Sequence, residues 1–188
     1  DDGTLLGITR DNSLIRVIDL DSEQTVAELI GHSQPPVSAF FSPNGAAVVS
    51  LGRPPDLGLH VWDTLTGEIR YIVQALKIAF SSDSKIFAVE TPSPGVIQVL
   101  DGDTGQVQKE LNSSYLGRPL TSLALSSDKT LLAAANSDGS LQLWHLPSQS
   151  SPTKIDSGFG TVSSAAWLDD GSVALGFPTG EVQIWNWA

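Results

Sequence analysis

The stretch GHSQPPVSAFFSPNGAAVVSLGRPPDLGLHVWDTLTG, residues 31–67, decides how the chain folds. Val37 to Phe41 is a short apolar run that meets Ser42-Pro43-Asn44-Gly45, and a second run follows from Ala46 to Ser50. After Arg53-Pro54-Pro55 a third run, Leu59-His60-Val61-Trp62-Asp63, leads into Thr64-Leu65-Thr66-Gly67. Asn, Gly and Pro interrupt every run within about eight residues, too soon for a helix but suited to β-hairpins.

Working outward, the third run recurs four more times. Ile15-Arg16-Val17-Ile18-Asp19, Ile97-Gln98-Val99-Leu100-Asp101, Leu141-Gln142-Leu143-Trp144-His145 and Val182-Gln183-Ile184-Trp185-Asn186 all read apolar, polar, apolar, large apolar, polar. The units end near 19, 63, 101, 145 and 186, in steps of 44, 38, 44 and 41 residues. A period of about 40–45 residues is that of four-stranded propeller blades. Hairpins keep the same phase: 37–50, 78–89 around Ser81-Ser82-Asp83-Ser84, 123–135 around Ser126-Ser127-Asp128-Lys129, and 165–175 around Leu168-Asp169-Asp170-Gly171. The strands are apolar on both faces, as sheets stacked between neighbours require. Alanines such as Ala39, Ala124, Ala133, Ala134 and Ala165 suit the tight inner strands.

These residues resemble the WD-repeat family, whose units end near Trp-Asp and are preceded by Gly-His. Trp62-Asp63 and Gly31-His32 match, while Trp144 and Trp185 match at Trp alone. The resemblance implies an all-β fold, a β-propeller of four-stranded antiparallel blades. Counting strands gives three, four, four, four and three, so residues 1–188 are expected to be one propeller segment, an incomplete arc of four to five blades within a larger ring. The absence of Met, even at position 1, suggests a piece of something longer.

The resemblance also implies a buried hydrogen-bond chain through His32, Ser50, Asp56 and Trp62. Asp138 precedes Trp144 by the same spacing and extends the structural set. Pro94 and Thr179 stand at the matching places of two other units, where the chain of bonds is broken.

Composition narrows function. Lys plus Arg number 10 against 21 Asp plus Glu, a net charge of −11. So acidic a chain is a poor match for phosphate backbones or anionic membranes, so neither nucleic acid nor membrane is expected as a partner. With no cysteine, disulfides, thiolate metal sites and cysteine nucleophiles are excluded. No signal-peptide pattern and no apolar run of about 20 residues is present, which favours a cytoplasmic setting. His32, His60 and His145 sit at different phases of the repeat, so no metal cluster is expected. Asp101-Gly102-Asp103-Thr104-Gly105 opens like a calcium loop, but Asn112 stands where the bidentate Glu belongs. Neither a phosphate loop nor a Gly-x-Ser-x-Gly elbow occurs, and no cofactor is expected.

What remains is a surface. Proline-rich loops hold the few basic and aromatic residues that interfaces prefer: Arg10, Arg53, Tyr115, Arg118 and Phe177. The expectation is a non-catalytic scaffold or sensor module that binds a protein or peptide across that loop rim. The alternative is an enzyme, a hydrolase or quinoprotein-like dehydrogenase, whose site is completed by further blades.

Overall fold

A computed structural model describes residues 4–8, 13–56, 58–113, 120–148, 151–158 and 160–186, with 4–8 as backbone only. The chain folds into two compact units, residues 1–76 with 103–105, and residues 77–102 with 106–188.

The first unit holds two antiparallel sheets. One is three-stranded, β1 (Thr4–Ile8), β2 (Leu14–Asp19) and β3 (Thr25–Ile30); the other is four-stranded, β4 (Ser38–Phe41), β5 (Ala47–Leu51), β6 (Gly58–Asp63) and β7 (Ile69–Gln74). Each strand pairs with the next, so the order in space is the order in sequence. Ile15, Val17 and Leu29 of the first sheet pack against Val48 and Trp62 of the second, all with no exposed surface.

The second unit holds three such sheets. They are β8 (Lys77–Phe80), β9 (Ile86–Glu90), β10 (Val96–Asp101) and β11 (Val107–Asn112); β12 (Leu120–Leu125), β13 (Leu131–Asn136), β14 (Ser140–His145) and β15 (Thr153–Asp156); and β16 (Ser164–Trp167), β17 (Val173–Gly176) and β18 (Val182–Trp185). Strand β13 shows why both faces are apolar. Leu132 and Ala134 pack toward the β8–β11 sheet, while Ala133 and Ala135 pack toward the β16–β18 sheet. All four are fully buried. Trp167 adds a polar tie, donating its indole N–H to the Ala124 carbonyl at 3.0 Å.

Among the described residues the sheets hold three, four, four, four and three strands, and the strands that carry the repeated run, β2, β6, β10, β14 and β18, end at Asp19, Asp63, Asp101, His145 and Trp185. The fold is all-β and built of propeller blades. One regularity was not expected. Strands β2, β6 and β10 each slip register against the outermost strand at the same phase, between Val17 and Ile18, Val61 and Trp62, and Val99 and Leu100. Such a bulge adds local twist just before the large apolar residue enters the inter-sheet space.

Candidate functional site

The site sits at one end of the β4–β7 sheet. Its core is Ser50 on β5, fully buried. Trp62 on β6 donates its indole N–H to Ser50 Oγ at 2.8 Å, and His32 Nε2 meets the same oxygen at 2.7 Å. His32 Nδ1 lies 3.2 Å from Asp56 Oδ2. Asp56 accepts, so His32 carries its proton on Nδ1, and Ser50 then donates to Nε2 while accepting from Trp62. The result is a one-way relay from Trp62 through Ser50 and His32 to Asp56. The structure thus brings together four of the residues marked in the sequence.

Asp56 also fastens two loops. It accepts from the Ser33 amide at 3.2 Å and from the Gly58 amide at 3.1 Å, through different oxygens. A side chain at Gly52 would collide with the Asp56 backbone carbonyl, so the tight turn over 52–56 needs glycine there. Burial would raise the Asp56 carboxyl, but hydrogen bonds from His32, Gly58 and Ser33 outweigh it and hold it below its ordinary range.

One participant escaped the sequence reading. His60 lies opposite Ser50 in the β5–β6 register, and its ring stacks on His32 with centroids 3.8 Å apart and planes 3° from parallel. The expectation that the histidines stand apart fails for this pair. A β-pairing and a neighbouring loop bring together what the repeat phase separates. Burial, then the neighbouring His32, keeps the His60 imidazole below its ordinary 6.5, with Asp56 offsetting part of the effect.

Donor atoms of His32, Asp56 and His60 lie within 4.8 Å of one another, a spacing compatible with a metal ion. The ring orientation argues otherwise. Imidazole lone pairs lie in the ring plane, so parallel stacked rings direct them side by side and not to a common point. Both His32 nitrogens are, moreover, already in hydrogen bonds.

Ser50, His32 and Asp56 also reproduce the order of a hydrolase triad. Here the hydroxyl is sealed: Ser50 has no exposed surface and its oxygen already accepts the Trp62 N–H. A nucleophile must reach a carbonyl carbon, and this one faces an indole. The arrangement is suited to holding strands and loops together.

The other marked residues lie elsewhere. Asp138 accepts from the Ser140 amide at 3.0 Å and from its hydroxyl at 2.6 Å. Trp144 is buried among Leu123, Leu132 and Ala134. No serine links them, because Ala134 stands opposite Gln142 just as Ser50 stands opposite His60. Arg53 is exposed in the 52–56 segment after β5. Arg10, Tyr115 and Arg118 lie outside the described residues. Phe177 corrects an expectation. It is only 5% exposed, in a cluster with Ala133, Leu141, Val162 and Leu175, because the aromatic ring folds back under the sheet from a turn that looks exposed in sequence.

With the geometry in place, residues 105–145 match the family described as WD domain, G-beta repeat. Residues 105–145 carry a WD repeat. The chain is 25% identical over 190 residues to apoptotic protease-activating factor 1 of Danio rerio, spanning 98% of itself but 14% of that protein. It is 24% identical over 212 residues to the COMPASS component SWD3 of Saccharomyces cerevisiae, of which it spans 65%. Its fold is similar to that of the computationally designed Ika8 protein, with a TM-score of 0.78, 22% identity, and 98% and 56% of the two chains covered. The family match falls on 105–145 and not on 31–67, the unit closest to the family's literal residues. There the β5–β6 connection, residues 52–57, is longer than the β13–β14 connection at 137–139.

Proposed function

We propose that this chain is a protein- or peptide-binding scaffold or sensor module, one propeller segment working beside further blades of a longer parent protein. A single observation carries the reading: the one Ser–His–Asp arrangement among the described residues is spent on structure, sealed beneath Trp62, while the loop it anchors presents Arg53 to solvent. The relatives support it in general terms, since one is a named component of an assembly and the chain spans only 14% of another. The binding rim comprises Arg53 together with Arg10, Tyr115 and Arg118. Neither nucleic acid nor membrane is its partner, given a net charge of −11.

The test is capture from the native source by wild-type protein and by Arg53→Ala, Tyr115→Ala and Arg118→Ala variants, each first checked for unchanged unfolding. Loss of the same captured proteins in at least one variant is expected. Equal capture by all three overturns the rim assignment. A serine-reactive fluorophosphonate separates the hydrolase reading: no label on Ser50 is expected in the native chain, and labelling that vanishes in Ser50→Ala would establish catalysis instead.

A further inference from the structure

We propose that the stacked His32–His60 pair is an acid-sensitive latch, whose charging under mildly acidic conditions releases the 52–56 segment from the 31–33 segment. The inference is independent of what the rim binds.

Four observations meet here. Both imidazoles are buried, at 6% and 4% exposure, and lie face to face at 3.8 Å. His60 Nδ1 is buried and has no hydrogen-bond partner. Among the described residues, the titratable groups acting on His60 are His32 and Asp56 alone; opposite it on β5 and β7 stand Ser50 and Ile72, which carry no charge. Finally, the single carboxylate is committed to His32, Ser33 and Gly58, so it is also the clasp between the two segments.

A proton on His60 therefore puts a positive charge in a dry site, on a ring whose Nδ1–H finds no acceptor, against the face of a second imidazole. Each of these costs free energy. One carboxylate cannot compensate both rings, and drawing it toward His60 slackens its hold on Ser33. Opening the corner exposes His60 to water and removes the penalty. The sign follows from linkage: His60 titrates lower when folded than when free, so stability is complete above pH 6.5 and is lost as the pH falls from there through the folded value. Nothing comparable exists at Gln142, which occupies the same register position on β14 and does not titrate.

Two readings on the intact chain test this. Histidine-resolved NMR between pH 8 and 4.5 should show His60 remaining neutral below its ordinary 6.5. Amide exchange, corrected for intrinsic rates, should rise severalfold at 31–33 and 52–56 between pH 7.5 and 5. Residues 132–135 should stay unchanged. His60→Gln should abolish the rise, and His145→Gln should keep it. The proposal is overturned if His60 titrates at its ordinary value, if corner exchange ignores pH, or if the rise persists in His60→Gln. The wild-type titration decides the matter alone should His60→Gln fail to fold.

Discussion

The β4–β7 and β12–β15 sheets have the same strand order, a buried Trp at the same register place and an Asp six residues before it, yet they are wired differently. In the first, Trp62 hands its N–H to Ser50, and the chain of bonds continues through His32 to Asp56. In the second, Ala134 replaces the serine, and Gln142 donates instead to Ser113 at 2.8 Å. Asp138 turns onto its own Ser140. The second sheet is held mainly by apolar burial on two faces, with Leu132, Ala133, Ala134, Ala135 and Leu141 all at zero exposure. A Trp and an Asp at family spacing thus mark the place of a blade without fixing how its polar groups are satisfied.

The largest expected effect breaks the polar wiring outright. Ser50→Ala keeps the strand but leaves His32 Nε2 and the Trp62 N–H buried without their shared partner. Each orphaned group costs about 1–3 kcal/mol, so the loss should be about 3 kcal/mol after partial relaxation. A lowered urea midpoint with unchanged slope would show it. A loss below about 1 kcal/mol would mean that the relay is ornamental and the two sheets are stabilised alike.

A smaller effect comes from the opposite side of the comparison. Gln142 is fully buried, its Nε2 bonded to Ser113 and its Oε1 without a partner. Gln142→Leu removes a good bond and an orphaned acceptor together, and replaces them with apolar volume. Because these terms oppose, the net change should lie within about 1 kcal/mol of wild type. If urea unfolding instead shows a cost equal to that of Ser50→Ala, the β12–β15 sheet depends on polar wiring as much as its counterpart does.

The architecture was legible because it rests on local signals repeated in phase: the apolar runs, the Ser-x-Asp or Ser-x-Asn turns, and Trp62. Ser42, Ser81 and Ser126 each receive the amide five residues on, from Ala47, Ile86 and Leu131, so one turn cassette is built three times. The relay was legible as far as the family's residues reach. His60 was not, because its partner is set by a cross-strand pairing and a loop conformation that no spacing encodes. Phe177 was misjudged for a related reason: turn residues are polar on average, and only the packing shows when a ring turns inward. The common bulge before Ile18, Trp62 and Leu100 also left no mark in composition, since it is a property of register.

The smallest expected effect isolates that turn cassette. The left-handed position before the second strand is Gly45 in the β4–β5 hairpin, at φ 71°, but Lys129 in the β12–β13 hairpin, at φ 63°. A side chain there costs about 1–2 kcal/mol, whereas glycine costs about 0.5–1 kcal/mol in chain entropy. Lys129 also reaches Asp83 at 2.6 Å, and this neighbour holds the Asp83 carboxyl well below its usual range. Both groups are exposed, so screening by solvent leaves the bridge weaker than the backbone term. Lys129→Gly should therefore stabilise the chain by roughly 0.5 kcal/mol, measured as a raised urea midpoint. High salt already weakens the bridge in the wild type, so the advantage of the variant should widen there. A variant that is destabilised at low salt and level with wild type at high salt would reverse the ranking, making the ion pair, and not the backbone, what distinguishes the two hairpins.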